Sequence, residues 1–158
     1  KNEVFENPRS QFVAEFLGFN VYDGRVVSEK RDDDTMIVEV YGVAIQTKAE
    51  NITPGMEVTV ILKPQDILLS FDSEITKPKW KNCRCNTLQG IITEISNMGS
   101  MAKILIDAGI PLKSDLSVDL LDELDITVGS KIFAQFRAQK VKLIPKQIKQ
   151  SAEKNASI

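Results

Sequence analysis

The feature that most constrains this fold is an internal repeat. Asn20-Val21-Tyr22-Asp23-Gly24 recurs as Asn86-Thr87-Leu88-Gln89-Gly90. Each of these glycines opens a β-branched run, Arg25-Val26-Val27 and Ile91-Ile92-Thr93. Gly42-Val43-Ala44-Ile45 answers Gly109-Ile110-Pro111-Leu112, and Gly55-Met56-Glu57-Val58 answers Gly129-Ser130-Lys131-Ile132. Counted from those last glycines, Lys63 matches Arg137, Ile67 matches Val141 and Leu69 matches Leu143. Matched glycines with matched basic and apolar positions predict one small β module used twice.

The pattern between the glycines is that of short strands. In the first repeat these are Gly24–Glu29, Met36–Val40, Val43–Thr47, Glu57–Leu62 and Asp66–Phe71. Their counterparts are expected near 87–96, 101–107, 110–114, 130–137 and 140–144. Short β-branched strands with glycine-marked turns, given twice, predict an all-β chain of two tandem five-stranded OB-like barrels. Two helices interrupt the pattern. Residues 7–18 carry Asn7 as N-cap, Pro8 at the first helical position and Gly18 after the last turn. Phe12, Val13, Phe16 and Leu17 make its apolar stripe, which packs either on the chain's own barrels or partly on a domain upstream. The second repeat alone has Ser117-Val118-Asp119-Leu120-Leu121-Asp122-Glu123-Leu124, a short helix capped by Ser117, with the leucines inward. The expected organisation is a connector at 1–18, repeats at 19–72 and 83–145, a linker at 73–82 and a frayed tail at 146–158.

Composition narrows the function. The 158 residues suffice for one domain or two small ones sharing a core. A formal net charge of −2 offers no basic field for nucleic acid. The absence of histidine removes the Ser-His and Cys-His nucleophile pairs and the commonest metal ligand. No Gly-x-x-x-x-Gly-Lys-Ser/Thr phosphate loop occurs, so this stretch is not expected to hydrolyse nucleotide or act as an enzyme. Two cysteines, Cys83 and Cys85, are too few for a secreted disulfide framework and favour a reducing setting. Flanked by Lys81 and Arg84, they read either as inert thiols near a dimer seam or as soft-metal or redox groups that need a partner chain. Arg31-Asp32-Asp33-Asp34 reads as a solvated hairpin tip, lacking the alternation of a calcium loop. The chain opens on Lys1 and leads into a polar helical segment, the pattern of a fragment or processed form.

Glu3-Val4-Phe5-Glu6-Asn7-Pro8 followed by Phe12-Val13-Ala14-Glu15-Phe16-Leu17-Gly18 resembles the segment leaving the nucleotide-binding domain of importer-type ABC ATPases. The chain from Phe19 to about Pro145 resembles their regulatory extension, built of OB-like TOBE or molybdate-binding (mop) modules. The second repeat is similar to the molybdate/tungstate version through Asn86-x-x-x-Gly90, the Gly109-x-x-Leu112 turn, the Leu116…Leu124…Gly129 run and Phe136-Arg137-Ala138-Gln139-Lys140-Val141. The resemblance implies a homodimer whose regulatory ligand is molybdate or tungstate, with ATP and Mg in a separate ATPase domain. It also implies a permease subunit as partner, a cytoplasmic position peripheral to the membrane, and inhibition of transport when the anion is plentiful. An extension of another importer that binds no oxyanion is the alternative. A molybdate store or a transcription regulator with the same paired modules is a third reading.

A tetrahedral dianion needs several N–H or O–H donors and one or two cations to offset its desolvation. The family pattern Ser-Ala-Arg-Asn falls on Cys83-Arg84-Cys85-Asn86, and Lys-Ala-Ser falls on Arg137-Ala138-Gln139. The resemblance therefore implies an oxyanion site lined by Arg84, Asn86, Arg137, Ala138 (through its backbone N–H) and Gln139, with Lys140 nearby. Cys83 supplies only a weak thiol donor where the family has a hydroxyl. Arg84 stands one residue before the usual arginine, which turns it to the other strand face unless the strand is irregular. On the bland reading Asn86 fixes a turn and Arg137 is a solvated strand residue. In the first repeat Pro64 removes an N–H and Asp66 adds negative charge, leaving that module as scaffold or dimer surface.

Overall fold

Ten strands form two five-stranded antiparallel sheets in the computed structural model, which describes residues 11–71 and 84–146. Asn7 and Pro8, Cys83, the linker 73–82 and the tail beyond Lys146 lie outside the described residues. The strands are β1 (Asn20–Val26), β2 (Met36–Val40), β3 (Val43–Thr47), β4 (Glu57–Leu62) and β5 (Leu68–Ser70), then β6 (Cys85–Met98), β7 (Met101–Asp107), β8 (Pro111–Ser117), β9 (Lys131–Arg137) and β10 (Lys142–Pro145). The all-β, OB-like class expected from the glycine pattern is the one found. Period-two burial in β7 and β8, with Ala102, Ile104, Ile106, Leu112 and Leu116 inward, follows from the alternation of their sequences.

The sheets hold a strand exchange. One has the order β10-β4-β1-β2-β3 and the other β5-β9-β6-β7-β8. The last strand of each repeat thus pairs in the sheet of the other, Leu143 opposite Val60 and Leu69 opposite Ala134. A single hydrophobic cluster runs through both halves, from Val38 and Val60 to Ile104, Ile132 and Phe136. The repeats therefore share one core. Two hydroxyls seal the exchange at equivalent positions, Thr47 Oγ1 donating to the Val141 carbonyl (2.9 Å) and Ser114 Oγ to the Ile67 carbonyl (3.2 Å).

Backbone geometry explains the repeated glycines. An added Cβ at Gly90 would lie 2.6 Å from Ile106 Cγ2 and 2.7 Å from the Asp107 carbonyl oxygen. At Gly24 it would lie 2.9 Å from methyls of Val38 and Val60. Only glycine lets β1 and β6 approach the strands they cross. Tyr41 and Gly42, both at positive φ, make the tight two-residue link between β2 and β3.

Among the described residues the α-helices are α1 (Gln11–Phe16) and α2 (Val118–Glu123). The N–H of Leu120 bonds to Ser117 Oγ, and Leu121 is buried, as the capping pattern predicts. Gly18 closes α1 at φ 77°, with Gly18 N–H to the Glu15 carbonyl and Phe19 N–H to the Ala14 carbonyl. The apolar face of α1 differs from expectation. Ala14 and Leu17 pack with Phe19 and Ile61, whereas Phe12 and Phe16 are 75% and 81% exposed and stack on each other at 6.5 Å. Ala14 and Leu17, three apart, share the inward face, and Phe19 packs in the same cluster over Ile61.

Candidate anion site at the junction of the repeats

Asn86 begins the site. It is 5% exposed near the start of β6, where its Oδ1 accepts from Gln46 N–H (2.7 Å) and its Nδ2 donates to the Gln46 carbonyl (3.0 Å). A strand residue's N–H and C=O point to the same side, so one side-chain amide satisfies both, standing in for a missing strand along the β3 edge. Ala138 extends the seam, its carbonyl accepting from Lys48 N–H (3.3 Å). The equivalent residue behaves alike: Asn20 Nδ2 donates to the Lys113 carbonyl (2.9 Å) and Asn20 Oδ1 accepts from Lys113 N–H (2.8 Å). The repeated asparagines are therefore reciprocal clasps between the modules.

Two of the expected donors have partners within the chain. The Asn86 amide makes both its bonds to Gln46, and the Ala138 N–H donates to the Arg84 carbonyl (2.9 Å). Both donors join the chain to itself, because the edge of β3 and the 3₁₀ turn Ala138–Lys140 hold backbone groups that must be paired.

Arg84 and Asn86 stand two residues apart and share a strand face, while Cys85 lies opposite Arg137 in the register and shares the other. Arg84 points toward the first repeat, where its Nε donates to the Asp33 carboxylate. Asp33 is fixed in turn by the N–H (3.1 Å) and the hydroxyl of Thr35. The Thr35 hydroxyl bond, then its N–H and the Arg84 guanidinium, prevail over partial desolvation and hold the Asp33 carboxyl at about 2. Arg31 Nη2 donates to Gln46 Oε1 (3.1 Å), and Gln46 Nε2 donates to the Cys85 carbonyl (3.2 Å).

These groups line a shallow depression of about 390 Å³ in which Arg31, Gln46, Arg84, Asn86 and Thr87 meet. The charged groups of the lining are the Arg31 and Arg84 guanidiniums, and the Asp33 carboxylate pairs with the second of them. Arg137, Gln139 and Lys140 do not line it: Gln139 is exposed, Arg137 and Lys140 are half-buried, and all three lie at or beyond the end of β9. The expected set is thus divided between two faces, and Cys83 lies outside the described residues.

Sequence reasoning did not include Arg31, Asp33 and Gln46. The Arg31–Asp34 run carried the signal for the first two, but its contact with Arg84 spans 51 residues and is invisible to local pattern. The equivalent corner of the first repeat has no guanidinium, since Gly18 occupies the position of Arg84. There the Tyr22 hydroxyl bonds to the Pro111 carbonyl, and burial, with a smaller effect of Tyr41, pushes its phenol up and keeps it protonated. Among the described residues no group of three or more Cys, Asp or Glu is placed to hold a metal ion, and no helix is long and apolar enough to cross a membrane.

Known proteins match the same architecture. Residues 85–143 match the TOBE domain family. The chain is 29% identical over 143 residues to the molybdate/tungstate import ATP-binding protein WtpC of Pyrococcus abyssi, covering 89% of this chain and 37% of that protein. It is 24% identical over 147 residues to the sulfate/thiosulfate import ATP-binding protein CysA 2 of Chromobacterium violaceum, covering 90% of this chain and 36% of that protein. A spermidine/putrescine import ATP-binding protein, PotA of Photobacterium profundum, is 38% identical over 69 residues, 42% of this chain and 18% of its own length. The chain spans a little over a third of the length of the Pyrococcus relatives. Among solved structures, the cytoplasmic molybdate-binding protein ModG superposes with a TM-score of 0.63 at 22% identity, over 80% of this chain and 96% of that one, and so shares its fold. The expected resemblance to the TOBE extension of molybdate/tungstate importer ATP-binding proteins stands.

Proposed function

We propose that this TOBE-bearing chain is the oxyanion-sensing regulatory part of an ABC importer's ATP-binding protein, with molybdate or tungstate as its ligand. The observation that carries the reading is the cationic depression of Arg31 and Arg84, built where the two repeats meet. The likeness to the Pyrococcus proteins over 89% of the chain supports it, as does the fold held in common with a molybdate-binding protein.

The residues act by charge and by hydrogen-bond donation. A dianion at the depression takes donors from Arg84, which leads into β6 of the second repeat, and Arg31, on the β1–β2 loop of the first. Occupancy thereby ties the two modules across their seam. Arg137, Gln139 and Lys140, on another face, serve as donors to a seat that a second copy of the chain completes. Through that homodimer, anion binding holds the ATPase domains apart and slows import while supply is sufficient. The partners are then the chain's own ATP-binding domain, which carries ATP and Mg, and the membrane permease subunit, at the cytoplasmic face of the membrane.

Isothermal titration with molybdate, tungstate and sulfate tests the reading. Saturable heat with either of the first two, lost in Arg84→Ala, is the expected result; no heat with either removes the sensor function. A second reading, an interaction extension without an oxyanion, is favoured by the internal use of the Asn86 and Ala138 donors. Full regulation of transport by an anion-insensitive chain would select it.

A further inference from the structure

Asp33 has no part in the scaffold of the depression, yet it is the group that meets Arg84. It sits on the β1–β2 loop of the first repeat, and Arg84 leads into β6 of the second. Thr35 pins one carboxylate oxygen from two sides, through its N–H and its hydroxyl, which leaves the other oxygen for Arg84 Nε. Thr35 itself is fully buried, so the carboxylate is tethered in place. The Arg84 side chain is 59% exposed, and its terminal nitrogens carry no bond among the described residues. The guanidinium is thus half engaged by an internal anion and half open to solvent.

We infer that Asp33 is an internal competitor that sets the affinity of the depression for tetrahedral oxyanions. The inference rests on the oxyanion-sensing function proposed for the chain. An arriving dianion meets an Arg84 guanidinium already paired with a carboxylate, and use of its Nε by the ligand requires the guanidinium to leave Asp33. When the ligand takes Nε as well as the open terminal nitrogens, binding is an exchange. Arg84 passes from the loop of the first repeat to the ligand, and the loop is released from the second repeat in the same step. A tethered carboxylate raises the concentration at which the site fills, and it couples filling to a change at the seam between the modules.

The test is isothermal titration of molybdate into the wild-type chain and into Asp33→Asn and Asp33→Ser. Both variants remove the charge and keep an oxygen for the turn at Thr35; thermal melting confirms that each is folded. The expected result is binding tighter by about threefold to tenfold in both, the range for relieving one exposed ionic contact, with Asp33→Glu restored toward wild type. Wild-type binding with unchanged or weaker affinity in both folded variants overturns the competitor role and leaves the oxyanion site standing. No molybdate heat in wild type or in either variant overturns both.

Discussion

Replacing Asn86 by alanine tests the clasp that joins the modules. The substitution deletes bonds of 2.7 and 3.0 Å to the N–H and C=O of Gln46, made by a side chain only 5% exposed. Each bond contributes about 1 kcal/mol net, and a buried group left without a partner costs about 1–3 kcal/mol. Gln46 is half-buried, so water replaces part of what is lost. The expected destabilisation is about 2–4 kcal/mol, read as a lower midpoint in urea unfolding at an unchanged slope. Asn20→Ala removes the equivalent pair to Lys113 and should cost a similar amount. The two share no partner, so the double variant should be additive within about 0.5 kcal/mol. If the Asn86 amide served mainly as an anion ligand, its removal would leave unliganded stability intact and weaken only binding. A loss below about 0.5 kcal/mol for Asn86→Ala would refute the clasp.

Other contacts carry predictions of their own. Gly90→Ala should destabilise by about 3 kcal/mol, because its Cβ meets the Asp107 backbone, and Gly24→Ala by about 1 kcal/mol, because Val38 and Val60 methyls can shift; equal effects in urea unfolding would contradict this. The lowered Asp33 carboxyl stabilises the fold above its unfolded value near 4, and that contribution is lost as pH falls through about 2. The melting difference between wild type and Asp33→Asn should therefore be constant from pH 5 to 8 and shrink below about pH 4, and a constant difference down to pH 2 would be the contrary result. Phe12→Ser and Phe16→Ser should each change stability by under about 0.5 kcal/mol, given their exposure. A larger loss on melting would place these rings in the core.

Much of the fold was legible because the repeat is written in residues with strict geometric demands. Gly24 and Gly90 mark close strand approach, Gly18 marks the end of α1, and Ser117 marks the start of α2. The strand exchange was not legible. Leu68–Ser70 and Lys142–Pro145 carry the same alternation, and period-two burial does not say which sheet a strand joins. The asparagines were visible as a repeat, but their partners were not, since Gln46 and Lys113 contribute backbone groups that any residue has. Arg84 was singled out in the sequence as an anion donor, and the fold places it at the junction of the repeats. Its companions Arg31 and Asp33 come from the other module, and only the folded chain brings them together.

The central claim is that the oxyanion seat lies at Arg84, between the repeats. Anomalous diffraction at a tungsten edge from crystals grown with tungstate tests it most directly. The account predicts a tungsten peak within hydrogen-bond reach of the Arg84 guanidinium, in the depression that Arg31 and Gln46 line. A fully occupied peak elsewhere with that depression empty, or no ordered tungsten at all, would contradict it.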